Sequence, residues 1–187
     1  SQDFPKEMGY SLYDNNRSTR IYELIESYEK IDFSDFKSIK FDYKYPTPFT
    51  FNFVDVNEIM EMNPNDYPDI SDLIIEIQNW DRSTSSDSLG AGIFAIFYYN
   101  LGKYIRKPYI NRNLSKNLIA QMLRDVKAYM VKHFNKTNVR LGEYQKLVRG
   151  DKEIPIWGMP DVITAMTSSR HVDLSLIHIS EPTRRRT

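Results

Sequence analysis

The order of apolar and polar positions predicts a chain made mostly of helices of ordinary length. Residues 17–30 place apolar side chains three and four positions apart, which is the period of a helix with one buried face. A shorter helix is predicted to start at Ser34 and to carry Phe36 and Ile39, with Phe41 as a further apolar position. The clearest helical pattern spans residues 115–134, where seven apolar positions share one face: Leu118, Ile119, Met122, Leu123, Val126, Met130 and Phe134.

Two further helices are predicted in the middle of the chain. Ser71 is expected to cap a helix whose apolar positions include Leu73, Ile74, Ile77 and Trp80. Residues 89–105 are apolar almost throughout, but the run is far shorter than the roughly 20 residues of a membrane-spanning helix. Small side chains in that run would allow a neighbouring backbone to approach closely: Gly90, Ala91, Gly92 and Ala95.

The segments between these helices contain proline, asparagine and glycine signals. In YPTPF, residues 45–49, Thr47 as a cap followed by Pro48 predicts a helix that runs towards Met62. The cluster NPNDYPD at residues 63–69 predicts a turn. From residue 139 to residue 156 the helical period weakens, and we predict short extended segments with a turn at Gly150 and Asp151.

Composition and charge exclude several kinds of function. The 187 residues contain 25 Lys and Arg against 25 Asp and Glu, so the chain offers no electrostatic basis for binding nucleic acid. The absence of cysteine excludes a disulfide framework, a thiolate nucleophile and a thiolate metal site. The sequence contains no Gly-rich phosphate loop and no cluster of His, Asp and Glu at metal-ligand spacing.

Isolated polar residues receive ordinary structural interpretations. His133 lies beside the apolar stripe of its helix and is predicted to be a surface or boundary residue rather than a base. The basic residues of the same helix are predicted to form its solvated face. Three acidic residues stand near predicted helix ends, where capping or dipole interactions explain them: Asp42, Asp81 and Asp87.

The last fourteen residues, LSLIHISEPTRRRT, end in a basic run. As protein they would be a strand followed by a charged arm. The DNA of a common transposon-based sequencing adapter, however, translates into LSLIHISEPTR, which is identical to residues 174–184. We therefore interpret residues 174–187 as an adapter-derived tail that is not native, and we expect the native protein to continue past Asp173.

Several stretches together resemble the penicillin acylase (penicillin amidase) family, and within it the branch of acyl-homoserine-lactone acylases and aculeacin-type lipopeptide acylases. The stretches are DFPKEM at residues 3–8, NNRSTRIYELIE at 15–26, IQNWDRSTSSDSLGAGIFAIFYYNL at 77–101 and RLGEYQKLVRGDKEIPIWGMPDVITAM at 140–166. The last stretch departs from the family pattern: Leu141 stands where Trp is common, Gln145 where His is common, and residues 157–159 replace a glycine pair. The order and spacing of the stretches make the resemblance specific.

This resemblance implies an α+β fold of the N-terminal-nucleophile (Ntn) hydrolase type, with a four-layer αββα core that autocatalytic cleavage of a precursor exposes. An N-terminal Ser attacks the amide, its own α-amine serves as the base, and an Asn side chain holds the oxyanion. On this alignment the nucleophile and that Asn lie upstream of Ser1, which is not the nucleophile. Residues 1–173 are thus interpreted as a mostly helical fragment of the catalytic (beta) chain that is inactive alone. It lacks the nucleophile region and the C-terminal part.

The resemblance also assigns one site residue. In the family, an Arg on the helix after the catalytic Asn borders the active site and helps to order that Asn and the substrate. This role falls on Arg17, with Arg20 as the fallback one helical turn later. A planar cation with several donors suits such a role. The alternative interpretation of Arg17 is an exposed side chain near a helix start.

The implied partners are a small-molecule acyl-amide substrate and the processed alpha chain of the same precursor. Acyl-homoserine lactones or acylated peptides fit the matched branch better than β-lactams do. The family is typically periplasmic or secreted. No cofactor, nucleic acid or membrane span is expected. Some family members bind a structural calcium ion, but this sequence shows no ligand set for one. The alternative from another functional class is a non-enzymatic helical binding or scaffold domain.

Overall fold

A computed structural model describes residues 14–51, 54–55, 57–104 and 112–164. Helix is the predominant secondary structure of this region and forms six elements: α1 (Asn16–Glu26), α2 (Phe33–Lys40), α3 (Ser71–Gln78), α4 (Leu89–Tyr104), α5 (Lys116–Phe134) and α6 (Leu141–Tyr144). The short strands are β1 (Thr50–Phe51), β2 (Val54–Asp55), β3 (Arg112–Asn113), β4 (Lys146–Arg149) and β5 (Lys152–Pro155). The region is mostly helical, which is compatible with the predicted α+β class.

The strands form two small sheets. In the first, β2 lies between β1 and β3, antiparallel to β1 and parallel to β3. In the second, β4 and β5 form an antiparallel hairpin that pairs Leu147 with Ile154. Its turn at Gly150 and Asp151 confirms the predicted turn, and Gly150 adopts the left-handed backbone conformation, with φ +59°. None of the helices in the described residues is long and apolar enough to cross a membrane.

Helix α4 is buried on all sides from Gly90 to Phe97, because its apolar residues are not confined to one stripe. Helices α3, α5 and α6 all pack against it. The fully or nearly fully buried side chains of α4 are Ala91, Ile93, Phe94, Ala95, Ile96, Phe97 and Leu101. The helix predicted over residues 89–105 is confirmed at Leu89–Tyr104, while residue 105 lies outside the described residues, and the structure shows that the helix belongs to the core.

Glycines on α4 allow its neighbours to approach closely, as predicted. A Cβ atom on Gly92 would collide with the carbonyl oxygen of Val139 and with the backbone of the next two residues. A Cβ atom on Gly90 would collide with the Trp80 side chain. The close approach at Gly92 fixes the start of α6, where the Leu141 N–H donates to the Ser88 carbonyl at 3.0 Å.

An aromatic cluster joins the segment before β1 to α4. The Phe49 ring lies 5.4 Å from the Phe94 ring, and the Trp80 ring lies 5.3 Å from Phe94. Tyr45 stacks on Phe49 with ring centroids 5.5 Å apart. Separations of this size are typical of stabilising aromatic pairs. The cluster thus anchors residues 45–49 to the core.

Helix α5 matches its prediction in extent and in orientation. Ser115 caps it, since its hydroxyl accepts a hydrogen bond from the Leu118 N–H at 3.3 Å. The inward face is buried at Ile119, Met122, Leu123, Val126 and Met130, while Leu118 and Phe134 are half-buried. His133 is exposed and its ring lies 4.3 Å from the Tyr129 ring, which confirms it as a surface residue.

The helix predicted from Thr47 towards Met62 is wrong. The chain instead forms β1 and β2 and then a 3-10 helix at Asn57–Glu61. Residues 50–56, TFNFVDV, are rich in β-branched and aromatic types, which favour extended structure over helix. The Asn57 side chain then ties the segment to the core by donating to the Phe49 carbonyl at 2.9 Å.

Other boundaries also differ from the predictions. Helix α1 ends at Glu26 rather than at residue 30. Directly after Glu26, the Ser27 hydroxyl donates to the Leu24 carbonyl at 2.7 Å. Ser71 is the first residue of α3 and not its cap. Residue 141 begins α6 rather than an extended segment, because the Glu143 carboxylate accepts the Arg140 N–H and closes a helical turn at 2.9 Å.

The helices α1 and α2 keep apolar side chains exposed. No apolar residue of α1 is buried, and Ile39 is the only buried residue of α2. The exposed large apolar residues of α1, α2 and the adjacent positions are Tyr22, Ile25, Ile31, Phe33, Phe36 and Phe41. The apolar stripe predicted for residues 17–30 is therefore present but contributes little burial.

We predict that Gly92→Ala destabilises the protein by about 2 kcal/mol, because the new methyl group must displace backbone rather than a flexible side chain. Urea denaturation measures the change. Gly150→Asn is the matched control, since that position has open space and Asn tolerates its left-handed backbone. Equal stability of Gly92→Ala and the wild type would contradict the close packing of α4 against residues 139–141.

Candidate functional site

The loop after β5, residues 156–164, connects distant parts of the chain. The Gly158 N–H donates to the Thr84 carbonyl at 2.9 Å, and the Tyr45 hydroxyl donates to the Pro160 carbonyl at 2.7 Å. At the end of the loop, the Thr164 N–H donates to the Asp42 carbonyl at 3.1 Å. The loop is therefore held at both ends by segments that belong to the folded core.

Between these two anchors the loop binds the first turn of α1. Asp161 Oδ2 accepts a hydrogen bond from the backbone N–H of Asn16 at 3.1 Å. Arg17 Nε donates to the carbonyl of the adjacent Val162 at 3.2 Å. Two successive residues of the helix thus bind two successive residues of the loop. We call these four residues the α1 junction.

Local capping determines where α1 begins. The Asn15 side chain accepts the Ser18 N–H at 2.9 Å, and the Ser18 hydroxyl accepts the Asn15 N–H at 2.9 Å. This reciprocal pair is a capping box, which fixes Asn16 as the first helical residue. The N–H of Asn16 has no acceptor within its own helix, so a loop carboxylate can bind it.

Asp161 occupies an unusual position for a carboxylate. Its backbone is left-handed, with φ +64°, a conformation that Asp adopts more readily than most side chains. Burial raises the pKa of the Asp161 carboxyl above its ordinary value, while the N–H groups of Asn16 and Arg17 and the charge of Arg17 act in the opposite direction. The ionised form therefore depends on the first turn of α1.

Arg17 is exposed and only partly engaged. Its Nε is bound to the Val162 carbonyl, and Val162 itself is fully buried. Within the part of the chain that the structure describes, no hydrogen bond or ion pair involves its terminal Nη1 and Nη2 groups. The guanidinium is consequently oriented at one edge while its other donors remain available to an acceptor.

Arg20, the fallback residue, binds protein carboxylates through each of its three guanidinium nitrogens. Its Nε and Nη2 donate to the two oxygens of Asp42 at 3.1 and 3.0 Å, and its Nη1 donates to Glu23 at 3.0 Å. The Arg20 and Asp42 side chains are only 20% and 14% exposed. Hydrogen bonds with Asp42 raise the pKa of Arg20, with burial opposing them. This pair joins α1 to the end of α2.

Sequence reasoning missed parts of this arrangement. Asp42, expected to serve a helix end, is instead the partner of Arg20. Gln145 is almost fully buried, and its Nε2 donates to the Gly158 carbonyl at 2.9 Å, which holds the loop to the end of α6. Gln145 and Asp161 both lie in the stretch at residues 140–166 that carries the family resemblance, and that was the available signal.

Other candidate sites in the described residues are weak. No group of three or more His, Asp or Glu side chains there could hold a metal ion. A shallow depression of about 430 Å³ lies beside α5, but its cations already pair with acidic residues just before and at the start of α3: Arg124 with Asp69 and Lys127 with Asp72. None of its lining residues belongs to the α1 junction.

A sequence model of the family described as penicillin amidase matches residues 1–170. The matched range covers most of the chain and includes α1, the loop at residues 156–164 and all four residues of the α1 junction. No curated protein matches the chain at a significant level.

We predict that Arg20→Met destabilises the protein by about 2 kcal/mol, because it leaves the mostly buried Asp42 carboxylate without its charged partner. Arg124→Met is the matched control. Arg124 binds both oxygens of Asp69 in the same fork geometry, but the two side chains are 42% and 51% exposed, so we expect a clearly smaller loss than for Arg20→Met. Similar losses in the two variants, measured by urea denaturation, would contradict the structural role of Arg20.

We also predict a pH-dependent effect of Asp161→Asn. Because the folded-state pKa of Asp161 is raised, its contribution to the free energy of unfolding is largest below the ordinary Asp pKa and is lost as the pH rises through the folded pKa. The Asn side chain keeps the acceptor for the Asn16 N–H and does not titrate. The stability of the variant relative to wild type should therefore improve as the pH rises above the ordinary Asp pKa of about 4.

Asp161→Ala is the control for this measurement, since it removes the acceptor and should be less stable than Asp161→Asn throughout that range. A relative stability of Asp161→Asn that stays constant or worsens as the pH rises would show that burial does not dominate at Asp161.

Proposed function

Because the chain belongs to the penicillin amidase family, we propose that it is part of an enzyme that hydrolyses a linear amide bond between an acyl group and an amine-bearing head group. The family match over residues 1–170 is the observation that carries this proposal. Membership of the family supports the assignment of an amide-hydrolysing activity on a small-molecule substrate. The reaction mechanism, the substrate branch and the roles of single residues are the further content of the proposal.

In the proposed mechanism, the hydroxyl oxygen of an N-terminal Ser attacks the amide carbon and its proton passes to the α-amine of the same residue. The α-amine suits this task because its ordinary pKa is about 8, close to working pH. The proton then passes to the leaving amine as the C–N bond breaks, and water hydrolyses the resulting ester. An Asn side chain stabilises the oxyanion. Both groups belong to a part of the precursor ahead of residue 1.

Arg17 is the proposed contribution of this chain to the site. Its Nε is held by the Val162 carbonyl, which fixes the plane of the guanidinium. The exposed terminal amino groups can donate to the side-chain oxygen of the oxyanion-binding Asn or to a carbonyl of the substrate. A guanidinium with one edge held in place is preorganised for such donation. The engagement of Arg20 with Asp42 and Glu23 favours Arg17 over Arg20 in this role.

The stretches quoted above favour acyl-homoserine lactones or acylated peptides as substrates over β-lactams. We further propose that residues 1–173 form a fragment of the catalytic (beta) chain, that residues 174–187 are adapter-derived, and that the processed alpha chain is the partner. The proposed location of the enzyme is periplasmic or secreted.

The test is an assay of the processed enzyme that contains this chain, with an acyl-homoserine lactone, an acylated peptide and a penicillin as substrates. We expect Arg17→Ala to lower kcat/KM by about 10- to 100-fold, which corresponds to the loss of one charge-assisted hydrogen bond. Arg124→Ala, at an exposed ion pair on α5, should leave kcat/KM unchanged.

Two controls complete the assay. The 187-residue chain alone should not release the amine product, and turnover by it would contradict the upstream placement of the nucleophile. If the processed enzyme hydrolysed none of the three substrates, the amidase proposal would fail, whereas full activity of Arg17→Ala would contradict only the role of Arg17.

A further inference from the structure

We infer that Asp161 is a positioning residue for the amidase reaction and acts through Arg17. The carboxylate fixes the first turn of α1 against the loop, so that the neighbouring Val162 carbonyl can hold Nε of Arg17. This inference rests on the proposed function of Arg17. It assigns Asp161 no contact with the substrate.

The first step of the argument is covalent geometry. Asp161 and Val162 are adjacent in the chain, as are Asn16 and Arg17. The two hydrogen bonds of the α1 junction therefore join the same two short backbone segments, and the length of one bond constrains the length of the other. Consecutive Cα atoms are about 3.8 Å apart in both segments. If the Asp161 bond to the Asn16 N–H is lost, the helix start can shift relative to the loop, and Nε of Arg17 loses its fixed distance from the Val162 carbonyl.

The second step is the rigidity of the loop side. Val162 is fully buried. Three hydrogen bonds hold the loop on either side of it. The Gln145 amide donates to the Gly158 carbonyl, the Tyr45 hydroxyl donates to the Pro160 carbonyl, and the Thr164 N–H donates to the Asp42 carbonyl. The loop is therefore a fixed support on which the Val162 carbonyl has a defined place.

The third step concerns the helix side, where burial does not supply the same rigidity. Asn16 is the only buried residue of α1, and the apolar side chains of this helix are half-buried or exposed. Polar contacts must then determine the placement of its first turn. A carboxylate beside the N-terminal N–H groups also interacts favourably with the helix dipole, typically by a few tenths to about 1 kcal/mol.

The fourth step is electrostatic coupling between the two side chains. Among the described residues, the titratable groups that face Asp161 are Arg17 from α1 and Tyr45 from the segment after α2. The positive charge of Arg17 favours the ionised carboxylate, and burial disfavours it. By reciprocity, the ionised carboxylate favours the position of the Arg17 guanidinium in which the two charges are close.

The kinetics of the processed enzyme test this inference in three single or double replacements of the junction side chains and one conservative variant. These are Asp161→Ala, Arg17→Ala, Arg17→Ala/Asp161→Ala and the conservative Asp161→Asn. Asp161→Ala should lower kcat/KM about tenfold, which corresponds to one hydrogen bond of the usual net strength. Asp161→Asn retains an acceptor for the Asn16 N–H and should recover most of that loss. When Arg17 is already replaced by Ala, the Asp161→Ala change should cause no further loss.

The control is Asp72→Ala, which also removes a carboxylate, here one that binds Lys127 at 2.8 Å in the first turn of α3, and which leaves the α1 junction and the loop intact. We expect it to keep kcat/KM near the wild-type value, with thermal denaturation confirming that all variants are folded. A loss caused by Asp161→Ala that is the same with and without Arg17 would overturn the inference. So would normal kinetics of Asp161→Ala in an enzyme that Arg17→Ala impairs. Normal kinetics of Arg17→Ala would instead remove the premise in the proposed function.

Discussion

The all-round burial of α4 is the constraint on which the rest of the structure depends. A helix without a polar face is stable in water only when other elements cover every side of it. Helices α3, α5 and α6 provide that cover, and Gly92 lets the backbone before α6 reach the helix surface. The end of α6 then places Gln145, whose amide holds the loop at Gly158. The position of the α1 junction therefore follows, through a series of contacts, from the core.

Helix α1 is attached to this core by polar contacts rather than by burial. The Arg20 pair with Asp42 joins it to the end of α2, and the α1 junction joins its first turn to the loop. The two arginines are one helical turn apart, yet their surroundings separate their roles. Arg20 is enclosed by carboxylates that use its donors, whereas Arg17 is bound at one edge by a neutral carbonyl. Chemically identical side chains thus become a structural link and an available cation.

The helices with a clear apolar period are the elements that can be predicted best from the sequence. The patterns of α4 and α5 were recognised because their apolar period and small residues act within one element. The helix predicted after Thr47 is wrong because the β-branched and aromatic residues that follow the Thr-Pro start signal favour extended structure. The sequence alone does not decide which of Arg17 and Arg20 has the family's Arg role, because a motif alignment can be shifted by one helical turn. The contact between Asp161 and Asn16 joins residues 145 positions apart, and no local pattern encodes such a pair.

The placement of Arg17 illustrates how a group can be held in place without being buried. An exposed arginine has many side-chain conformations in water, and fixing them costs conformational entropy of up to about 2 kcal/mol. The bond from Nε to the Val162 carbonyl restricts that freedom before any ligand arrives, while the exposed edge keeps its hydration and its donors. Such a bond is useful only if the carbonyl itself is immobile, and the full burial of Val162 meets that condition. The rigidity needed at the surface is therefore supplied by the core beneath it, through a single loop.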